Sequence, residues 1–286
     1  MNQSNALILP AASEQSNFDS GSLFFVGTAT VILQYAGFSI LTDPNFLHQG
    51  DHVHLGYGLR SRRRTNPAID IDALLPIDLV VLSHMHEDHF DRIASQKLDK
   101  TLPIITTHHA AKSLRKQGFT NPYPLNTWET QVICKGNSVL KITSMPGRHG
   151  PGALAAALPP VMGSMLEFQD TTEHTRFCLY ITGDTLIIDQ LKEIPKRYPN
   201  IDLALLHLGG TKIFGVLLTM DARQGVEAIQ IIAPRTAIPI HYNDYTVFKS
   251  PLEDFVAAVT AAGLESKVKY LNHGDTYQFE VAATRV

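Results

Sequence analysis

The chain is 286 residues long, 44% apolar and 18% charged, with a net charge of −3. That suits one globular unit with a sizeable core, and the charge balance supplies no bulk attraction to nucleic acid. Its two cysteines, Cys134 and Cys178, stand alone in strand-like runs and read as free thiols, and no apolar run approaches the roughly 18 residues of a membrane span.

The N-terminus has no basic leader, and its apolar stretch Ala6-Leu7-Ile8-Leu9 is too short for a signal peptide. Residues 1–20 therefore read as a loosely ordered segment ahead of a single domain over 21–286, in a cytoplasmic protein. Between 30 and 41, two strand-like runs flank Ala36-Gly37 as a hairpin that ends at Thr42-Asp43-Pro44. The segment 45–67 is long and holds His48, His52, His54 and Tyr57 beside Arg60, Arg62, Arg63 and Arg64. Guanidinium groups suit phosphate and carboxylate recognition, so an anionic substrate is one reading and Tyr57 a candidate contact. A solvated basic loop or a subunit contact is the other, and a homo-oligomer is compatible with it.

The apolar run Ile77-Asp78-Leu79-Val80-Val81-Leu82 reads as a buried strand that stops at Ser83-His84-Met85-His86-Glu87-Asp88-His89-Phe90. Imidazole nitrogen and carboxylate oxygen are the donors that borderline divalent metals take. In an extended segment His84 and His86 project to one side and can chelate one ion, while Asp88 and His89, beyond the turn, can reach a neighbouring one. Glu87 is expected to point away, to solvent or a cap, and Asp91 to cap a helix beginning near Arg92.

Further helices are expected over 109–116, 188–197, 220–233 and 252–262, with Gly263 as a stop and Asp221 and Gln224 at capping-box spacing. His149 lies in a Gly/Pro loop, Met145-Pro146-Gly147-Arg148-His149-Gly150, after a strand-like run; Arg148 beside it is a candidate anion contact. A second hairpin, Ser164 to Phe168 and Arg176 to Ile181, ends at Gly183-Asp184. His207 closes Leu205-Leu206-His207 and is a candidate for the pocket lining, with a structural hydrogen bond as the alternative. His241 closes Ala237-Ile238-Pro239-Ile240-His241. Each of these groups stands at a strand end, where layered folds gather their chemistry.

His-x-His-x-Asp-His after a strand resembles the signature of the metallo-β-lactamase fold superfamily, whose members are mostly dinuclear metal hydrolases. The resemblance implies an α/β (α+β) fold, a four-layer αββα sandwich of two mixed β-sheets flanked by helices, and the two similar hairpins agree with it. It also implies a ligand set of His84, His86 and His149 on one ion and Asp88, His89 and His241 on the other, bridged by Asp184. Asp43 resembles the superfamily's supporting carboxylate behind the motif histidines. Asp88 is also the candidate catalytic group, orienting the attacking water or passing its proton to the leaving group. Redox members of the superfamily carry a Glu where His86 stands, which favours hydrolysis.

Gly27-Thr28-Ala29-Thr30, Thr42-Asp43-Pro44, Gly183-Asp184-Thr185 and Leu218-Thr219-Met220-Asp221-Ala222 look most like the branch with L-ascorbate-6-phosphate lactonase and N-acyl-phosphatidylethanolamine phospholipase D. The chain departs from it around His149 and over 153–160, beside the expected metals, so neither relative's substrate carries over. Two divalent ions are expected, zinc first, with manganese, iron or nickel compatible with mixed N/O donors. The expected function is a metal-dependent hydrolase in which metal-bound hydroxide attacks an ester, lactone or phosphodiester bond of a small anionic molecule. A nuclease or nucleotide phosphodiesterase of the same fold is the alternative, and a non-catalytic metal-binding protein a third.

Overall fold

The computed structural model describes residues 6–11, 15–55 and 58–281. Its first strands are β1 (Leu7–Ile8), β2 (Ser20–Gly27), β3 (Thr30–Tyr35), β4 (Phe38–Thr42), β5 (His52–His54), β6 (Arg60–Arg62), β7 (Leu79–Val81), β8 (Ile104–Thr106) and β9 (Pro122–Pro124). Then come β10 (Thr130–Lys135), β11 (Ser138–Met145), β12 (Gly163–Gln169), β13 (Thr175–Ile181), β14 (Leu203–His207), β15 (Lys212–Ile213), β16 (Val216–Leu217), β17 (Thr236–Ile240) and β18 (Thr276–Glu280). The helices are α1 (Arg92–Lys97), α2 (His108–Lys116), α3 (Ile194–Arg197), α4 (Ala222–Ile232) and α5 (Leu252–Ala261).

Two seven-stranded sheets form, ordered β18-β2-β3-β4-β7-β8-β9 and β1-β10-β11-β12-β13-β14-β17. Period-2 alternation divides each strand between two cores. Phe177, Leu179 and Ile181 of β13 face Leu23, Phe25 and Leu33 between the sheets, while Cys178 and Tyr180 pack outward with Ile229 of α4 and Phe255 of α5. On the other outer face Val80, Leu82 and Ile104 meet Ala94 of α1 and Leu114 of α2. The result is the expected αββα sandwich.

The internal repetition extends beyond the two hairpins. β2-β3-β4 pair antiparallel and β4-β7-β8 parallel; β11-β12-β13 and β13-β14-β17 repeat that sequence of senses. Asp43 follows β4 and Asp184 follows β13, each where pairing changes from antiparallel to parallel. The strand order thus brings two carboxylates, 141 positions apart by subtraction (184 − 43), to equivalent places.

Three local expectations need correction. The segment expected to be loose before residue 20 contains β1, which pairs parallel with β10, and the Leu9 N–H reaches Cys134 O at 2.9 Å. Covering the β10 edge satisfies backbone groups that would otherwise lie open. Residues 1–5 and 12–14 lie outside the described residues. The helix expected over 188–197 is a 3-10 turn, Asp189–Glu193, followed by the short α3, because Pro195 brings no N–H to the ladder. The capping box is half made: Asp221 accepts from Gln224 N at 3.0 Å, but Gln224 Oε1 takes the Ile187 N–H at 3.2 Å. Neither cysteine forms a disulfide among the described residues, and Cys178 is buried and Cys134 half-buried.

Candidate metal centre

β7 carries three fully buried apolar residues, and its end delivers the histidine motif to the sheet rim. The chain then turns tightly, with His89 N and Phe90 N both donating to His86 O. Asp91 fixes the exit: one oxygen caps α1 from Ala94 N at 2.7 Å and the other takes Leu47 N at 2.7 Å. The turn carries Glu87 away from the cluster, but to neither bulk solvent nor a helix cap. It accepts from His54 N at 2.7 Å and from Arg92 at 3.1 Å, which ties the arginine-bearing segment to the motif.

The donor atoms of His84, His86 and His149 lie within 4.8 Å of one another, and so do those of Asp88, His89 and His241. Asp184 groups with His84 of the first set and His89 of the second. The rings of His84 and His89 are 4.2 Å apart, so the two clusters abut. Asp184 reaches His89 Nε2 at 3.3 Å and His241 Nδ1 at 3.5 Å. Its turn needs Gly183, where φ is +62° and a Cβ would stand 2.6 Å from Met162 O.

Several ligand histidines are anchored through one ring nitrogen. His149 Nδ1 donates to Leu218 O at 3.1 Å and His241 Nδ1 to Leu208 O at 3.2 Å; His89 Nδ1 faces Asp43 at 3.3 Å. Such bonds fix the tautomer and leave Nε2 for the site. His89 Nε2, His241 Nε2, Asp88 Oδ1 and Asp184 Oδ1 are buried without a hydrogen-bond partner. Four orphaned polar atoms facing one another would cost several kcal/mol as they stand (about 1–3 kcal/mol each), and a cation between them removes that cost. The residues fit divalent metal.

Charge divides the cluster: burial holds His84, His86 and His149 low, while the carboxylates raise His89 and His241 against burial. Burial, followed by the charge of His89, holds His84 well below the usual histidine range, and burial with the charge of His149 brings His86 down to about 4. Neutral imidazole is the ligating form. Burial pushes Asp184 up, yet His241 and His89 outweigh it and leave the carboxyl well below its usual range. Asp88 falls to about 2 in the same way, burial being outweighed by His89 and by His241, whose Nε2 lies 3.5 Å from the carboxylate. His89 is the counter-charge: burial lowers it, but Asp184, Asp88 and Asp43 raise it well above the ordinary value.

Asp43 sits behind the motif. It accepts from Ser83 N at 2.7 Å and faces both His89 Nδ1 and His207 Nε2, the latter at 3.2 Å. His207 therefore differs from the pocket-lining expectation: it is fully buried, bonded to Asp43 and stacked at 11° on His89. Its imidazole is taken up by Asp43, the carboxylate that also faces His89 Nδ1. Asp43→Asn keeps the Ser83 bond but removes the charge facing His89. It is expected to weaken metal binding by about 10–100-fold, read by chelator competition; unchanged affinity would refute the supporting role.

Arg148 has an exposed side chain, while its N–H donates to Thr185 Oγ1 at 2.9 Å and its carbonyl accepts from Leu186 N. Tyr57 lies outside the described residues. Arg60, Arg62 and Arg64 are exposed, but Arg63 is fully buried. Its guanidinium reaches Thr65 O at 3.1 Å, Asn45 O at 3.3 Å and Asn45 Oδ1, with the Tyr245 ring 5.6 Å away. Asn45 in turn accepts from Tyr245 OH at 2.9 Å and donates to Glu87 O at 2.9 Å. Sequence reasoning missed this brace, since Asn45 and Tyr245 are 200 positions apart and neither has a local signature.

The beta-lactamase superfamily domain model matches residues 39–242, a span that runs from the first hairpin to just past His241. The UPF0173 protein YddR of Bacillus subtilis is 25% identical over 267 residues, 89% of this chain and 98% of its own length. A UPF0173 metal-dependent hydrolase of Archaeoglobus fulgidus is 26% identical over 212 residues, 71% of this chain and 82% of its own. The crystal structure of isothiocyanate hydrolase from Delia radicum gut bacteria is similar with a TM-score of 0.75 at 23% identity, over 91% of this chain and 99% of that one. Among the described residues no helix is long and apolar enough to cross a membrane.

Proposed function

The chain belongs to the beta-lactamase superfamily and is a metal-dependent hydrolase; from that premise we propose that it works through a dinuclear centre. His84, His86 and His149 would hold one ion and Asp88, His89 and His241 the other, with Asp184 between them. The observation that carries this reading is the pair of abutting, buried donor triads with Asp184 grouped to one histidine of each. Zinc is the ion proposed first, and manganese, iron and nickel suit the same mixed donors. When bound, such ions lower the pKa of water toward about 7 and polarise a substrate oxygen.

The chain's own residues do the rest. Leu208 O, Leu218 O and Asp43 hold three imidazoles in one tautomer. Asp88 keeps Oδ1 unpartnered, so it can orient the attacking water and carry its proton to the leaving group. Burial of Asp88, His89 and His241 keeps bulk water from competing. Arg148, exposed beside His149, is the rim group that would meet an anionic substrate. The bond proposed is an ester, lactone or phosphodiester of a small anionic molecule.

The test is metal analysis of the purified protein with a panel of lactones, phosphodiesters and phosphomonoesters. Chelation is expected to abolish turnover and added metal to restore it. The His84→Ala variant is expected to be inactive across the panel; undiminished activity in that variant would refute metal hydrolysis.

A further inference from the structure

Exposed apolar side chains gather on segments that border the metal centre. Phe214 is 93% exposed, and Leu154 and Val216 are also open to solvent. Phe214 stands at the turn of the β15–β16 ribbon, where it takes φ +50° and Gly215 +81°. A phenylalanine held in the left-handed region at a ribbon tip has neither local packing nor backbone ease to explain it.

The ribbon is rooted in the site at both ends. On one side Thr211 bridges to Phe248, whose ring lies 4.5 Å from that of His241. On the other, Leu218 gives its carbonyl to His149 Nδ1. The ribbon is thus tied at one end to a neighbour of His241 and at the other to His149 itself. Leu55 N donates to Leu59 O at 3.0 Å, and both residues share a lining with Ile213 and Phe214 of the ribbon. Between them runs a groove of about 260 Å³ floored by Leu55, Leu59, Ile213, Phe214 and Val247.

The groove's rim carries three cations, Arg60, Lys212 and Lys249. Arg92, nearby in the chain's fold, pairs with Asp51 and Glu87. The three rim cations meet no carboxylate among the described residues, and Lys249 Nζ reaches only Thr246 O, at 2.7 Å. An apolar floor with an unneutralised cationic rim matches one chemistry: a molecule with an apolar body and an anionic group.

We propose that this groove seats the non-reacting part of the substrate, its apolar body against Phe214 and Ile213 and its carboxylate, sulfonate or phosphate on Arg60, Lys212 and Lys249. The role as a substrate subsite rests on the hydrolase reading above; the binding chemistry does not. Contacts remote from the reacting bond position it and raise specificity.

Binding is to be measured calorimetrically on the metal-loaded protein with 2-naphthalenesulfonate, 2-naphthol and inorganic sulfate in turn. The sulfonate is expected to bind one to one, at least about tenfold tighter than either part alone. Phe214→Ser and Lys212→Gln should each weaken it by about tenfold. Leu75→Ser, an exposed site away from the groove, should leave it unchanged. Equal binding of 2-naphthol overturns the anionic half, and indifference to both ribbon substitutions overturns the groove. A sulfonate seated on the metals alone would vanish with chelation yet ignore Lys212→Gln, which also overturns it. Ribbon-sensitive binding without turnover of any panel substrate leaves the groove standing and defeats the hydrolytic reading instead.

Discussion

Asp184→Asn is expected to lower kcat/KM by about 10³-fold or more and to reduce the bound metal below that of the unaltered protein. The substitution is nearly isosteric, so the Gly183 turn and its fit against Met162 O remain. What changes is charge. Asp184 and Asp88 are the two carboxylates among the proposed donors, and Asp184 alone groups with both His84 and His89. A neutral amide would leave the two proposed dications with half the carboxylate charge among their donors. A thousandfold loss corresponds to about 4 kcal/mol of transition-state stabilisation, a modest share of what two charged ions supply at short range. Elemental analysis with steady-state kinetics reads both effects, and circular dichroism checks the fold. Full metal occupancy with activity within about tenfold of the parent would defeat the bridging role.

Arg63→Met is expected to destabilise the fold by about 3–5 kcal/mol, measured by denaturant unfolding of the chelated protein so that metal linkage does not enter. The guanidinium is fully buried and braces Thr65 O and both oxygens of Asn45. Its charge also helps hold Asp244 below the usual carboxylate range, though burial acts first and upward there and His273 acts more strongly. Removing it takes that donor from Thr65 O and Asn45 O, while Asn45 Oδ1 keeps Tyr245 OH, and leaves buried Asp244 less compensated. Arg63→Lys is expected to rescue little, because a point ammonium cannot span the fork. Buried ionic groups are sometimes better replaced by apolar ones. A variant as stable as the parent would show that Arg63 is such a case and not a brace.

The motif histidines are legible in the sequence because they are local: His84, His86, Asp88 and His89 lie within one turn of chain at the end of an apolar run. The hairpins are legible for the same reason, since Ala36-Gly37 between alternating runs encodes the β3–β4 turn. The helix ending at Arg197 was less so, because a single proline interrupted a good amphipathic pattern. The resemblance of the motif to a known superfamily supplied the order of the later ligands, which spacing alone does not give.

His207 and Arg63 mark the boundary. His207 reads as either a structural hydrogen bond or pocket lining, and the arginine run as either an anion contact or a solvated loop or subunit contact; His207 and Arg63 are both buried supports. A histidine at a strand end can face a pocket or the layer behind it, and local sequence does not say which; here Asp43, 164 positions away, takes His207 Nε2 at 3.2 Å. An arginine in a basic run reads as solvated until Tyr245 and Asn45 come to cover it from remote parts of the chain. The sequence by itself determined the chemical type of every proposed ligand and the strand it ends. Only the tertiary structure decided which donors share a cluster, which back them up, and that a ribbon with a bare phenylalanine is rooted beside them. Those outcomes depend on distances between residues far apart in the chain, and such distances are set by sheet order and packing, not by local composition.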